Sequence, residues 1–292
     1  MSHELAMPTN LTAAMRRANL ESFPLVMGVV NVTPDSFSDG GRFTDPGRAI
    51  EHALSLRAQG ADILDVGGES TRPGAQPVSE ADELARVIPV IAGIRAQSEA
   101  MISVDTSKPA VMRAAAEAGA DMINDVCALQ APGAMSVAAE LGLPICLMHM
   151  QGEPRTMQRA PRYEDVVEDI LDFFQARIQA CERAGIAREQ LVLDPGFGFG
   201  KSLAHNLELL AGLDRFATLG LPVLAGLSRK SMLGAITGRE RPDERIAASV
   251  AAALLAAERG AAIVRVHDVA ETVDALKVRQ ALRRVEIQGS DG

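Results

Sequence analysis

Asn31, Asp105, Asn124, Asp194, Lys230, Arg265 and His267 share one setting: each sits where a short apolar run stops. The run from Leu25 ends at Asn31, and the run holding Asp65 opens into GGESTRPG at 67–74. Later runs end at Asp105-Thr106, Asn124-Asp125, His149, Asp194, Ser228-Arg229-Lys230 and Arg265-Val266-His267-Asp268. One polar residue after an apolar run is an ordinary turn former. Eight in succession exceed that explanation, and they divide by chemistry. Arg72, Arg265, His267 and Asn31, with the hydroxyls of Ser70 and Thr71, suit phosphate oxygens or a cation. Asp105, Asn124, Asp194 and Lys230 mix acceptors with donors, as the edge of a flat heterocycle requires. A carboxylate such as Asp194 can accept two parallel N–H bonds from an amino-pyrimidinone edge, and an analogue lacking those donors would strand it unpaired.

The elements that must position these groups alternate along the chain. Strands are expected at 25–32, 61–67, 101–105, 121–126, 144–149, 191–194, 222–227 and 261–267, with helical stretches of three- and four-residue apolar spacing between them. Ser79, with Asp82 three residues on, resembles a capping box for a helix reaching about Arg95. Ser107 before Lys108-Pro109 reads as another N-cap. Gly60, Gly119 and Gly260 fall between a helix and the next strand, as left-handed caps do. Eight strand–helix repeats without a composition break predict a single-domain α/β fold, a (β/α)8 TIM barrel over residues 24–285. Residues 1–23 are expected as a loosely held extension and 286–292 as a tail. An open doubly wound sheet is the competitor, but no dinucleotide fingerprint follows the first strand. In a barrel the C-terminal strand ends hold the site, which is where the polar groups fall.

Composition narrows the classes further. Hydrophobic residues make up 47% of the 292-residue chain but aromatics only 3%, with no Trp and one Tyr, which calls for an aliphatic core and argues against base-stacking platforms. A net charge of −9 argues against nucleic acid as a partner. Cys127, Cys146 and Cys181 have neither metal spacing nor an even disulfide count, which fits a reducing cytoplasm. No segment has the length of a membrane span; the apolar run 246–257 is too short. Several motifs fail on inspection. GFGFGKS at 196–202 resembles a phosphate loop, but Pro195 stands where the motif needs its first glycine. His52 and His205 read as surface residues. Lys230 at a strand end raises the possibility of a Schiff base, yet nothing around it reads as apolar enough to favour a neutral amine.

The motifs NVTPDSFSDGG (31–41), GGESTRPG (67–74), SVDT (103–106), IND (123–125), LMHMQGEPRTMQ (147–158), LDPGFGFGK (193–201), GLSRKSMLG (226–234) and VRVHDV (264–269) together resemble the dihydropteroate synthase family of pterin-binding enzymes, the sulfonamide targets of folate biosynthesis. The resemblance spans about residues 25–282. It implies joining of (7,8-dihydropterin-6-yl)methyl diphosphate to 4-aminobenzoate with release of diphosphate, Mg2+ as cofactor and a homodimer. By motif, Asp105, Asn124, Asp194 and Lys230 would bind the pterin, with Met148, Phe199 and Gly226 lining its pocket. Asn31, Thr71, Arg72, Arg265 and His267 would hold the diphosphate, with Asn31 on the metal and Asp35 as a second candidate there. Phe37, Arg72, Pro73, Lys230 and Ser231 would frame the aminobenzoate. The catalytic set implied is Asp105, Asp194, Lys230, Arg265 and His267. A pterin-binding methyltransferase would share the pocket but leaves the 33–41 loop and the diphosphate cluster without a purpose. A non-catalytic paralogue would not need Asn31, Arg72, Lys230 and His267 intact.

Overall fold

The computed structural model describes residues 11, 15, 23–33, 45–70, 75–152 and 156–290. Eight parallel strands alternate with helices: β1 (Leu25–Asn31), α1 (Pro46–Ala58), β2 (Ile63–Gly67), α2 (Glu80–Arg95), β3 (Met101–Asp105), α3 (Pro109–Glu117), β4 (Met122–Asp125) and α4 (Ala134–Leu141). The second half runs β5 (Ile145–Met148), α5 (Val166–Arg183), β6 (Leu191–Asp194), α6 (Leu203–Ala211), β7 (Leu224–Ala225), α7 (Ser231–Thr237), α8 (Ile246–Glu258), β8 (Ile263–Val266) and α9 (Val269–Ser290). Sheet order is β6-β5-β4-β3-β2-β1-β8-β7. The circle closes through one bridge, Leu193 to Val223, beside a bond from Leu193 N–H to Pro222 O at 2.9 Å. This is the expected (β/α)8 barrel, and its β6–β7 seam is its thinnest joint.

Strand alternation sorts the side chains. On the outward face, Val26, Leu64, Ile102, Ile123 and Val264 pack against the helices in the main core. On the inward face, Leu25, Met27, Ile63, Met101, Met122, Cys146, Val192, Leu224 and Ile263 form a separate apolar cluster that fills the lower lumen. Leu11 and Met15, four apart as on one helical face, join that cluster at 4% and 7% exposure. Those two side chains cover apolar groups at the lower end of the barrel; the rest of 1–22 lies outside the described residues.

Three local expectations change. Strand β7 is two residues long, not six, since Pro222 offers no N–H and the chain leaves the sheet at Gly226. Ser107 does not cap α3; Lys108 occupies the N-cap without a side-chain bond, and Ser107 Oγ turns to the Asp125 carboxylate instead. Ser79 does cap α2, accepting from Asp82 N–H at 3.1 Å, but the Asp82 carboxylate accepts from the Ser79 hydroxyl at 2.6 Å and not from the backbone N–H a capping box would use. Gly60, Gly119 and Gly260 all have the positive φ expected of them. Among the described residues no helix is long and apolar enough to cross a membrane, and all three cysteines are free thiols.

Candidate functional site

Two residues along these strands from the apolar floor, the lumen opens into a cleft, polar on most strands and bounded by Met148 and Gly226 on two. Met122 is followed by Asn124, Cys146 by Met148, Val192 by Asp194, Leu224 by Gly226 and Ile263 by Arg265 and then His267, all on the same face. These ends surround the cleft at the C-terminal mouth of the barrel. Its wall includes Asp105, Asn124, Met148, Asp194, Phe199, Gly226 and Lys230, the full set expected around a heterocycle. Arg265 and His267, expected on an anion, share the same wall. Asn31 ends β1 half-buried beside Gly67 of β2 and is not on that wall, and Ser231 is the exposed first residue of α7. Asp35, Phe37, Thr71, Arg72 and Pro73 lie outside the described residues.

The electrostatics of the cleft come from crowding. Arg265 Nε donates to Asp65 Oδ2 at 2.7 Å and its Nη2 to Asp105 Oδ2 at 2.9 Å, so one cation serves two carboxylates. Burial pulls the guanidinium down, but Asp65 and Asp105 outweigh it and hold it above its ordinary value. Asp105 is the loser of that contest. Burial and the Asp65 charge push its carboxyl up to about 7 despite Arg265. Burial also raises Asp194, opposed by Lys230 and by Gly196 N–H, which donates to Asp194 Oδ1 at 2.8 Å. Lys230 donates to Phe197 O and lies over the Phe199 ring at 4.3 Å. Burial brings its ammonium down to about 8, more desolvation than the sequence suggested, with Asp194 partly restoring it. Arg229, its neighbour, turns away to Asp268 with a positive φ of 59°, an uncommon backbone state for a non-glycine that redirects the chain between Ser228 and Lys230.

Asp65 and Ser228 belong to this site and were not among the candidate residues. Asp65 is fully buried, accepts from Asn124 Nδ2 at 3.2 Å as well as from Arg265, and has its other oxygen unpaired. Ser228 lines the cleft, accepts from His267 N–H at 3.1 Å, and lies 3.0 Å from that imidazole's Nδ1. The two-residue alternation was the available signal, since Asp65 lies two residues beyond Ile63 on the lumen face. His205 is half-buried, and its ring accepts from Ser202 N–H at 3.3 Å to close a capping box on α6. The arrangement as a whole offers two carboxylates, a carboxamide and an ammonium to one flat polar ring, with a guanidinium and an imidazole at one side for an anion.

Comparison with known proteins agrees with that chemistry. Residues 27–267 match the family model described as pterin binding enzyme. Dihydropteroate synthase of Escherichia coli K12 is 56% identical over 260 residues, 89% of this chain and 92% of that protein. The chain belongs to the dihydropteroate synthase family. Among solved structures, Xanthomonas albilineans dihydropteroate synthase with 4-aminobenzoic acid superposes at a TM-score of 0.85 with 58% identity, covering 90% of this chain and 94% of the other. The same organism's enzyme in complex with 7,8-dihydropteroate gives 0.83 and 56%, with coverage of 90% and 95%.

Proposed function

We propose that this protein condenses (7,8-dihydropterin-6-yl)methyl diphosphate with 4-aminobenzoate to give 7,8-dihydropteroate and diphosphate. One observation carries the reading: Asp105, Asn124, Asp194 and Lys230 converge on a cleft whose side wall is Arg265 and His267, in a member of this family. Asp194 and Asp105 accept the pterin N–H groups, Asn124 and Lys230 meet its acceptors, and Met148, Phe199 and Gly226 bound its faces. Arg265, His267, Asn31, Thr71 and Arg72 hold the diphosphate; Phe37, Arg72, Pro73, Lys230 and Ser231 receive the aminobenzoate.

The bond that breaks joins the pterin methylene to diphosphate, and its electron pair leaves with the diphosphate. Arg265 and His267 stabilise that growing negative charge, while Asp105 and Asp194 stabilise the cationic pterin methylene. Fixed charges aimed at developing charge contribute about 10²–10³ in rate per key group. The aminobenzoate nitrogen then bonds to the methylene carbon and releases one proton, and a cation already formed needs no general base. Asn31 supplies one hard oxygen at a strand end, the donor type Mg2+ takes. Bound there with Asn31, and with Asp35 as its second candidate, Mg2+ would neutralise charge on the leaving group. Three free thiols suit a reducing cytoplasm. Val278, Leu282 and Val285, spaced four and three apart on α9, leave an exposed apolar stripe, which we assign to a second copy in a homodimer; Leu255 on α8 is exposed as well.

The test is diphosphate release from the dihydropterin diphosphate with Mg2+, with and without 4-aminobenzoate. Release that requires 4-aminobenzoate and matches dihydropteroate formed is the expected result. Slow release without the amine would identify a cation formed before attack. Tight pterin binding with no release would remove the synthase reading.

A further inference from the structure

The turn at 196–200 is tied to a side chain at every carbonyl. Gly196 O and Phe199 O both accept from Lys201 Nζ, at 2.9 and 3.0 Å. Phe197 O accepts from Lys230, Gly198 O from Gln158 Nε2 at 2.5 Å, and Gly200 O from the Tyr163 hydroxyl at 2.8 Å. Lys201 is only 3% exposed, and its third bond goes to His149 Nδ1 at 3.0 Å. Its hydrogen-bond partners are thus the carbonyls of Gly196 and Phe199, that of His149 at 3.5 Å, and an imidazole, with no carboxylate among them. That is a costly way to place a cation. Burial brings the Lys201 ammonium down to about 7, with Asp194 opposing and Lys230 adding to the fall. Burial, and then the Lys201 charge, brings His149 down to about 3, so its ring is neutral and free to accept. His149 N–H in turn donates to Asp194 O at 2.9 Å, which links the tether to the strand bearing Asp194.

What the tether holds is the Phe199 ring, which lines the cleft under Lys230. Lys201 itself does not reach the cleft. We propose that Lys201 is a positioning residue for the heterocycle: by fixing the carbonyls of Gly196 and Phe199 it sets the Phe199 ring against Lys230 and so shapes the pterin pocket. The proposal rests on the pterin reading of the cleft.

A double-mutant cycle with Phe199→Ala tests it, read by steady-state kinetics and by fluorescence titration with 6-carboxypterin. Lys201→Met and Phe199→Ala should each weaken 6-carboxypterin binding and raise KM for the dihydropterin diphosphate about tenfold. The KM for 4-aminobenzoate and kcat should move by less than about threefold, and the double variant should bind about as well as the weaker single one, because both changes act through one ring. Lys201→Gln keeps two N–H donors and should show an intermediate loss, which covers a Met variant that does not fold. Losses that multiply in the double variant, an equal loss for both substrates, or unchanged pterin affinity in both Lys201 variants would overturn the proposal. The titration needs no turnover. A wild type that binds 6-carboxypterin yet makes no dihydropteroate would remove the synthase reading and leave this test standing, whereas a wild type that does not bind it would remove both.

Discussion

Asp105 shows how one residue sets a pH response. Its carboxyl, up at about 7, is half-protonated near neutrality and becomes a full acceptor for pterin N–H groups only above that. We expect kcat/KM for the dihydropterin diphosphate to rise with pH between 6 and 8, and the rise to vanish in Asp105→Asn along with about 10²-fold of the rate. Stability runs the other way. A carboxyl that holds its proton more tightly folded than unfolded stabilises the fold at low pH, and that contribution is lost as pH climbs from about 4 through about 7. Urea midpoints of wild type and Asp105→Asn across that range check the sign; parallel curves would refute it. The strand-end residues were legible in the sequence because each follows an apolar run. Asp65 was among them as the polar residue of the second run, but nothing local shows that its carboxylate will meet Arg265, 200 residues later. Lys201 was missed for a related reason: its motif fails as a phosphate loop, and only the fold shows its ammonium turned inward to its own loop's carbonyls.

At the scale of elements, the 196–200 turn depends on glycine. A Cβ on Gly196, at a φ of 71°, would fall well inside contact distance of the His149 carbonyl oxygen. Gly142 has a similar φ of 64°, with nothing within 4 Å of where its Cβ would stand. Gly142→Ala should therefore cost about 1–2 kcal/mol, the left-handed penalty alone. Gly196→Ala should cost more than about 3 kcal/mol, because backbone must also move, and should weaken pterin binding through displaced Phe199. Chemical denaturation of both variants gives the comparison, and equal costs would show that the contact yields freely. Element order was readable from alternating apolar periods, whereas the two-residue β7 was not. Its sequence runs apolar from Leu221 to Leu227, and only the pairing shows that the backbone leaves the sheet at Gly226 to present Lys230.

For the whole molecule, the exposed stripe of Val278, Leu282 and Val285 makes an assembly prediction. Val278 and Leu282, at 72% and 60% exposed, are positions where a charge costs an isolated barrel little and an interface much. Leu282→Asp should sediment as a monomer where wild type sediments as a dimer, with the circular dichroism of the two unchanged. A monomeric wild type would refute the assignment.

The thin joint between β6 and β7 matters beyond architecture. Asp194 ends one side of it, and Lys230 follows the other after a three-residue approach from Gly226. A ligand gripped by both spans the seam as a staple spans a tear. Its binding energy is then also closure energy for the barrel, delivered where the sheet itself supplies least, so occupancy should raise resistance to unfolding by mass action. Amides beside the seam should record that gain most strongly, in hydrogen exchange, while the broad β1–β2 pairing barely registers it.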